Sequence, residues 1–145
     1  MTIQAYRSCV AHCLADPGDD QDSDNVEIFP DGVLIVEDGR VADLGPAEQL
    51  LPTLGPDCEV HDFSDNKILP GMVDCHIHYP QTDIIASYGT QLLDWLNTYT
   101  FPFEAKFADL DYARETARFF VEELLRNGTT TALVFATVHA HSVDA

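Results

Sequence analysis

Two apolar, strand-like runs flank one long amphipathic helix in this chain, and that order admits few folds. The first run, Lys67-Ile68-Leu69-Pro70-Gly71-Met72-Val73-Asp74-Cys75-His76-Ile77-His78, ends in histidines. The helix is expected to start at Asp109 or Asp111, either of which can cap it, and to run to Asn127. Ala113, Ala117, Phe120, Val121, Leu124 and Leu125 recur at helical spacing and form one face. Gly128 supplies the left-handed residue that closes a helix. The run from Thr129 to Thr137 is β-branched and nearly continuously apolar, as in a strand buried on both faces of a parallel sheet. Strand, helix, strand in that order is a βαβ unit, right-handed by default. A shorter helix is expected over Leu92 to Tyr99.

Residues 1–65 read differently, as short strands and turns. Gln4 to Leu14 mixes small, polar and β-prone residues. Gly32 to Val36 and Val41 to Gly45 flank an Asp-Gly pair, a strong hairpin signal. Pro46 stands at a first helical position, ahead of one or two turns through Leu51. Glu59 to Phe63 is another short strand. The expected fold is therefore α/β with a β-rich N-terminal module: part of a small β-sandwich over 1–65, then a strand–helix–strand unit over 66–145.

The chain's charge excludes several functions. It has 145 residues, with 25 Asp and Glu against 7 Lys and Arg, for a net charge of −18. Residues 1–65 hold −13 of it. Such a surface cannot neutralise phosphates, so no nucleic-acid partner is expected. Neither a basic interfacial helix nor an apolar run of roughly 20 residues occurs, so no membrane partner is expected. The N-terminus lacks a basic start and a long apolar stretch, which reads as no signal peptide and a cytoplasmic protein. Many aspartates with only two lysines, Lys67 and Lys106, also look like a surface adapted to high salt. The run from Asp16 to Asn25 reads as a solvated acidic loop and does not fit a calcium loop. Cys9, Cys13, Cys58 and Cys75 are irregularly spaced and read as reduced thiols. Cys9, His12 and Cys13 have no second cluster to complete a zinc set.

His76-Ile77-His78 is the chemical centre. Alternate residues on a strand share a face, so both imidazoles can reach one divalent cation while Ile77 turns into packing. At the C-terminal end of a buried strand, the pair stands where α/β barrels build active sites. The competing reading is two ordinary core histidines. Asp74 shares their strand face, either as an orienting partner or as a strand-end hydrogen bonder. Trp95, Tyr99, Phe101 and Phe103 are either an aromatic wall for a flat base or core residues of the crossover.

The segment Leu69 to His78 resembles the first barrel strand of the amidohydrolase superfamily, metal-dependent hydrolases with a (β/α)8 TIM barrel beside a small β-sandwich. Tyr79-Pro80-Gln81-Thr82-Asp83, Tyr88-Gly89, Gln91 to Pro102 and Asn127 to His139 are similar to the guanine deaminases within it. The close resemblance covers about residues 66–145. It implies hydrolysis of guanine to xanthine and ammonia, in purine catabolism, with zinc as cofactor. By resemblance, His76 and His78 would be zinc ligands. The stretch His78, Tyr79, Pro80 and Gln81 would border the substrate, with Gln81 on the purine edge. A turn residue after Pro80 is the other reading of Gln81. Full-length relatives would be homodimers.

The family also uses later histidines, an aspartate and an acid/base glutamate on strands beyond the second. His139-Ala140-His141 repeats the spacing, but the family places its remaining ligands elsewhere. The chain is therefore expected to be the N-terminal portion of a longer enzyme, with the barrel incomplete, and inactive alone. The alternatives are another amidohydrolase and a non-catalytic chain that pairs with a partner carrying the rest of the barrel.

Overall fold

A computed structural model describes residues 2–16, 18, 24–89 and 91–145. Most of the acidic run 16–25 lies outside the described residues. The chain is mixed α/β and divides into two compact units, Met1–Pro70 and Gly71–Ala145.

The first unit holds β1 (Ile3–Cys13), β2 (Val26–Glu37), β3 (Arg40–Pro46), the short helix α1 (Ala47–Leu50), a 3-10 turn (Leu51–Thr53) and β4 (Glu59–Ile68). They form one four-stranded sheet in the order β3-β2-β1-β4. This is the β-rich module that the sequence predicts, and its described strands form one sheet. β2 and β3 are the expected hairpin, and Asp38 (φ 48°) and Gly39 (φ 78°) both take the positive φ that a tight primed turn requires. Pro46 precedes α1 rather than starting it. β4 runs parallel to β1 and is longer than expected, because Lys67 and Ile68 pair with Cys9 and Val10. The ladder shifts between Arg7 and Cys9. Buried Ser8 lies there, with its hydroxyl 3.1 Å from the Phe63 carbonyl and 2.8 Å from that of Asn66. Val33 and Ile35 alternate onto one face and pack with Ala5 and Ala47, covered by Leu50, Leu51 and Leu54.

The second unit begins with β5 (Met72–His78) and a 3-10 segment (Tyr79–Ile84). A helical run follows: α2 (Leu92–Trp95), a π turn (Leu96–Thr100), α3 (Phe101–Glu104) and a 3-10 turn (Ala105–Ala108). It extends past the expected Tyr99. Pro102 lacks an amide and its ring crowds the carbonyl four residues back, and the wider π turn just before it opens the ladder at that point. Helix α4 (Leu110–Arg126) follows, capped by Asp109, whose carboxylate accepts from the amides of Asp111 and Tyr112. Gly128 (φ 86°) ends it as the sequence predicts. β6 (Thr129–Phe135) pairs in parallel with β5, and α5 (His141–Asp144) closes the chain.

The core of this unit is Tyr79, Phe107, Ala113 and Phe120, with Ile77, Ala117 and Leu124 packed on it. Val121 and Leu125, expected on the covered face of α4, are exposed instead. Leu133, Val134 and Phe135 of β6 are also open rather than buried on both faces. Helix α4 covers only the stripe of residues that meets it. Among the described residues no helix is long and apolar enough to cross a membrane.

Candidate metal centre

β5 is not a regular strand where it carries the histidines. Asp74 pairs with Ala132 and Ile77 with Val134, so β5 spends one more residue than β6 across Cys75 and His76. A bulge of this kind re-aims a side chain. The His76 amide at the bulge donates to Asp74 Oδ1 at 2.9 Å. Of the two roles read for Asp74, the structure shows the local one: its carboxylate holds the backbone of the first histidine.

His76 and His78 then present their rings on one face, with Nε2 to Nε2 at 3.2 Å and centroids 5.1 Å apart. Two nitrogens each about 2.0–2.1 Å from one ion, at a near-tetrahedral angle, would be separated by about that distance. Among the described residues each Nε2 meets only the other, and His76 is exposed. The donor set therefore fits two ligands of a zinc-like cation. Among the described residues no group of three or more His, Cys, Asp or Glu is gathered for a metal. His139 and His141 accordingly do not form such a cluster with the pair.

Phe135 completes the face. Its ring lies 4.6 Å from that of His76, and 4.7 Å from that of His78 at an interplanar angle of 13°. The β5–β6 register puts His78 opposite Phe135. Nothing in the spacing along the sequence signals this contact, which depends on the register between two distant strands.

The residues after His78 divide by direction. Gln81, half-buried, lines a cavity of about 740 Å³ together with His76, His78, Thr82 and Trp95. Tyr79 and Pro80 are buried and absent from its wall. The Tyr79 ring meets Phe107 edge-on at 5.2 Å, and its hydroxyl donates to the Ser142 carbonyl at 2.6 Å. Burial pushes the Tyr79 phenol above its ordinary pKa. Ser142 Oγ in turn accepts from the Thr137 amide at 3.0 Å and donates to the His139 carbonyl at 2.7 Å. The end of β5 is thus tied to the loop after β6. Asp83 accepts from the Tyr112 hydroxyl at 2.6 Å, which holds the 79–84 segment to α4. Of the four aromatic residues weighed as a wall, only Trp95 reaches the cavity, with its Nε1 donating to the Ser87 carbonyl at 3.1 Å. All four cysteines are free.

Comparison with known proteins decides the family. The sequence profile of the Amidohydrolase family matches residues 68–145. The chain belongs to that family. Among amidohydrolase relatives, the guanine deaminase of Escherichia coli K12 is 51% identical over 120 residues, covering 83% of this chain and 27% of that protein. The crystal structure of guanine deaminase from Bradyrhizobium japonicum superposes with a TM-score of 0.90 at 33% identity, over 99% of this chain and 31% of that one. A guanine deaminase from C. acetobutylicum, solved with guanine in its active site, gives a TM-score of 0.76 at 33% identity, over 97% of this chain and 32% of that one. The chain spans about a third of the length of these amidohydrolase relatives and corresponds to their N-terminal part.

Proposed function

We propose that this chain is the N-terminal part of a guanine deaminase, which converts guanine and water to xanthine and ammonia. The observation that carries this reading is the convergence of His76 and His78 beside Gln81 on one cavity, in a chain similar to guanine deaminases throughout. Residues 1–65 are assigned to the small β-domain and 66–145 to the start of the TIM barrel, in an enzyme that works as a homodimer.

The metal would be zinc, and His76 and His78 would hold it. When bound, it supplies a Lewis acid that brings the ionisation of water to near neutral pH. This chain's own residues bind and orient. Gln81 presents an amide that donates and accepts, matching a purine edge with both kinds of group. His78 and Gln81 border the base, while the buried Tyr79 and Pro80 anchor the segment between them in the core. The carboxylate of Asp74 keeps His76 aimed at the cavity. The oxygen of water bonds to purine C2 and the bond from C2 to the amine breaks; one water proton ends on N3 and the other leaves on the amine as ammonia, moved by an acid/base that the family resemblance makes a glutamate outside these residues.

His76 and His78 supply two ligands, fewer than zinc takes in catalytic sites. The 145-residue chain alone is therefore inactive. Ammonia release from guanine with added zinc tests both parts. The chain by itself is expected to release none, and clear turnover would overturn that part. A chain extended to the length of its relatives is expected to turn over guanine, and to lose that activity on His76→Ala. A zinc-loaded extended chain that leaves guanine untouched overturns the substrate.

A further inference from the structure

Histidines that bind metals usually have their planes set by a hydrogen bond from the second ring nitrogen to a carboxylate or carbonyl. Among the described residues, neither His76 nor His78 makes such a bond; their one ring hydrogen bond is to each other. The torsion that turns an imidazole about its Cβ–Cγ bond is broad, so an unsupported ring samples many planes. Both rings are nevertheless held against the same neighbour. Phe135 stacks on His78 at 4.7 Å and 13°, and meets His76 at 4.6 Å and 45°.

We propose that Phe135 is a positioning residue for the metal pair: its ring selects the imidazole planes in which the two Nε2 atoms converge. This rests on the reading of His76 and His78 as metal ligands. Two features support it. Parallel pairing of His78 with Phe135 brings the benzene ring to the pair from the neighbouring strand. Positive charge drawn onto the imidazoles by a bound cation is also favoured over an aromatic face. Phe135 is 42% exposed, so replacing it empties no core.

The test uses the chain extended to the length of its relatives, with Zn²⁺ alone as probe. In the metal-free protein, the Phe135 ring current displaces the carbon-bound ring-proton signals of His76 and His78, with His12 and His61 as internal controls. Phe135→Leu is expected to abolish the displacement and weaken Zn²⁺ binding by calorimetry about tenfold or more. Phe135→Tyr, which keeps the ring, is expected to restore both, with circular dichroism unchanged throughout. A Leu variant that binds Zn²⁺ as tightly as the parent overturns the inference, as does a Tyr variant that fails to recover. Parent protein that takes up no Zn²⁺ overturns it together with the metal reading. Zinc binding with the expected Phe135 dependence, in an extended chain that ignores guanine, overturns the substrate reading alone.

Discussion

His76 Nε2 and His78 Nε2 stand 3.2 Å apart, on a strand whose pairing slips by one residue between Asp74 and Ile77. Asp74 Oδ1 takes the His76 amide at that slip. Asp74→Ala is expected to lower the stability of the second unit by about 1 kcal/mol, the typical net worth of one hydrogen bond, and to weaken Zn²⁺ binding. Asp74→Asn keeps an acceptor and is expected to keep most of both. Denaturant unfolding followed by Trp95, the chain's only tryptophan, reads the stability, and calorimetry reads the metal.

Phe107 is fully buried beneath Tyr79 and Tyr112. Phe107→Ala removes the centre of the second unit's core and is expected to cost about 3–5 kcal/mol. Tyr79→Phe keeps the packing and removes only the bond to the Ser142 carbonyl, for about 1 kcal/mol. Equal losses in the two variants would show that the core is not centred on Phe107.

Alkaline pH tests the Tyr112–Asp83 contact. Burial, then the hydrogen bond to the Asp83 carboxylate, pushes the Tyr112 pKa up to about 12. The unfolded value is about 10. Below pH ~10 both states hold the proton and this stabilisation is complete. Between the two values the folded state holds more protons than the unfolded one, so stability falls as pH rises. Denaturant midpoints across that window are expected to decline, and Tyr112→Phe is expected to flatten the decline. An equally steep slope in the variant would exclude Tyr112 as its source.

The net charge of −18 predicts a strong response to salt. The arginine–carboxylate pairs among the described residues, Arg7–Asp31, Arg118–Glu122 and Arg126–Glu123, leave most carboxylates without a cation. Screening shortens the reach of their repulsion, to about 3 Å at molar salt. The melting temperature is expected to rise from low to molar salt. A melting temperature independent of salt would argue against a surface adapted to salinity.

Local chemistry was legible where it acts over a few residues. Asp38-Gly39 announced a hairpin, Asp109 a helix cap and Gly128 a helix end, because each meets a backbone demand that depends on near neighbours. The common face of His76 and His78 was legible for the same reason, since strand alternation survives the bulge between residues two apart. The long β4 was not, because Lys67 and Ile68 extend it only through pairing with Cys9 and Val10.

The sequence by itself determined the order of elements, the metal-pair candidate and the family resemblance, all carried by short-range spacing and motif. Only the tertiary structure decided that Tyr79 turns into the core while Gln81 faces the cavity, and that Asp74 serves the His76 backbone. It alone brought Phe135, far along the chain, against both imidazoles. Parallel strands are joined by a long crossover, so their register depends on contacts distant in sequence, and no local run of residues encodes that sum.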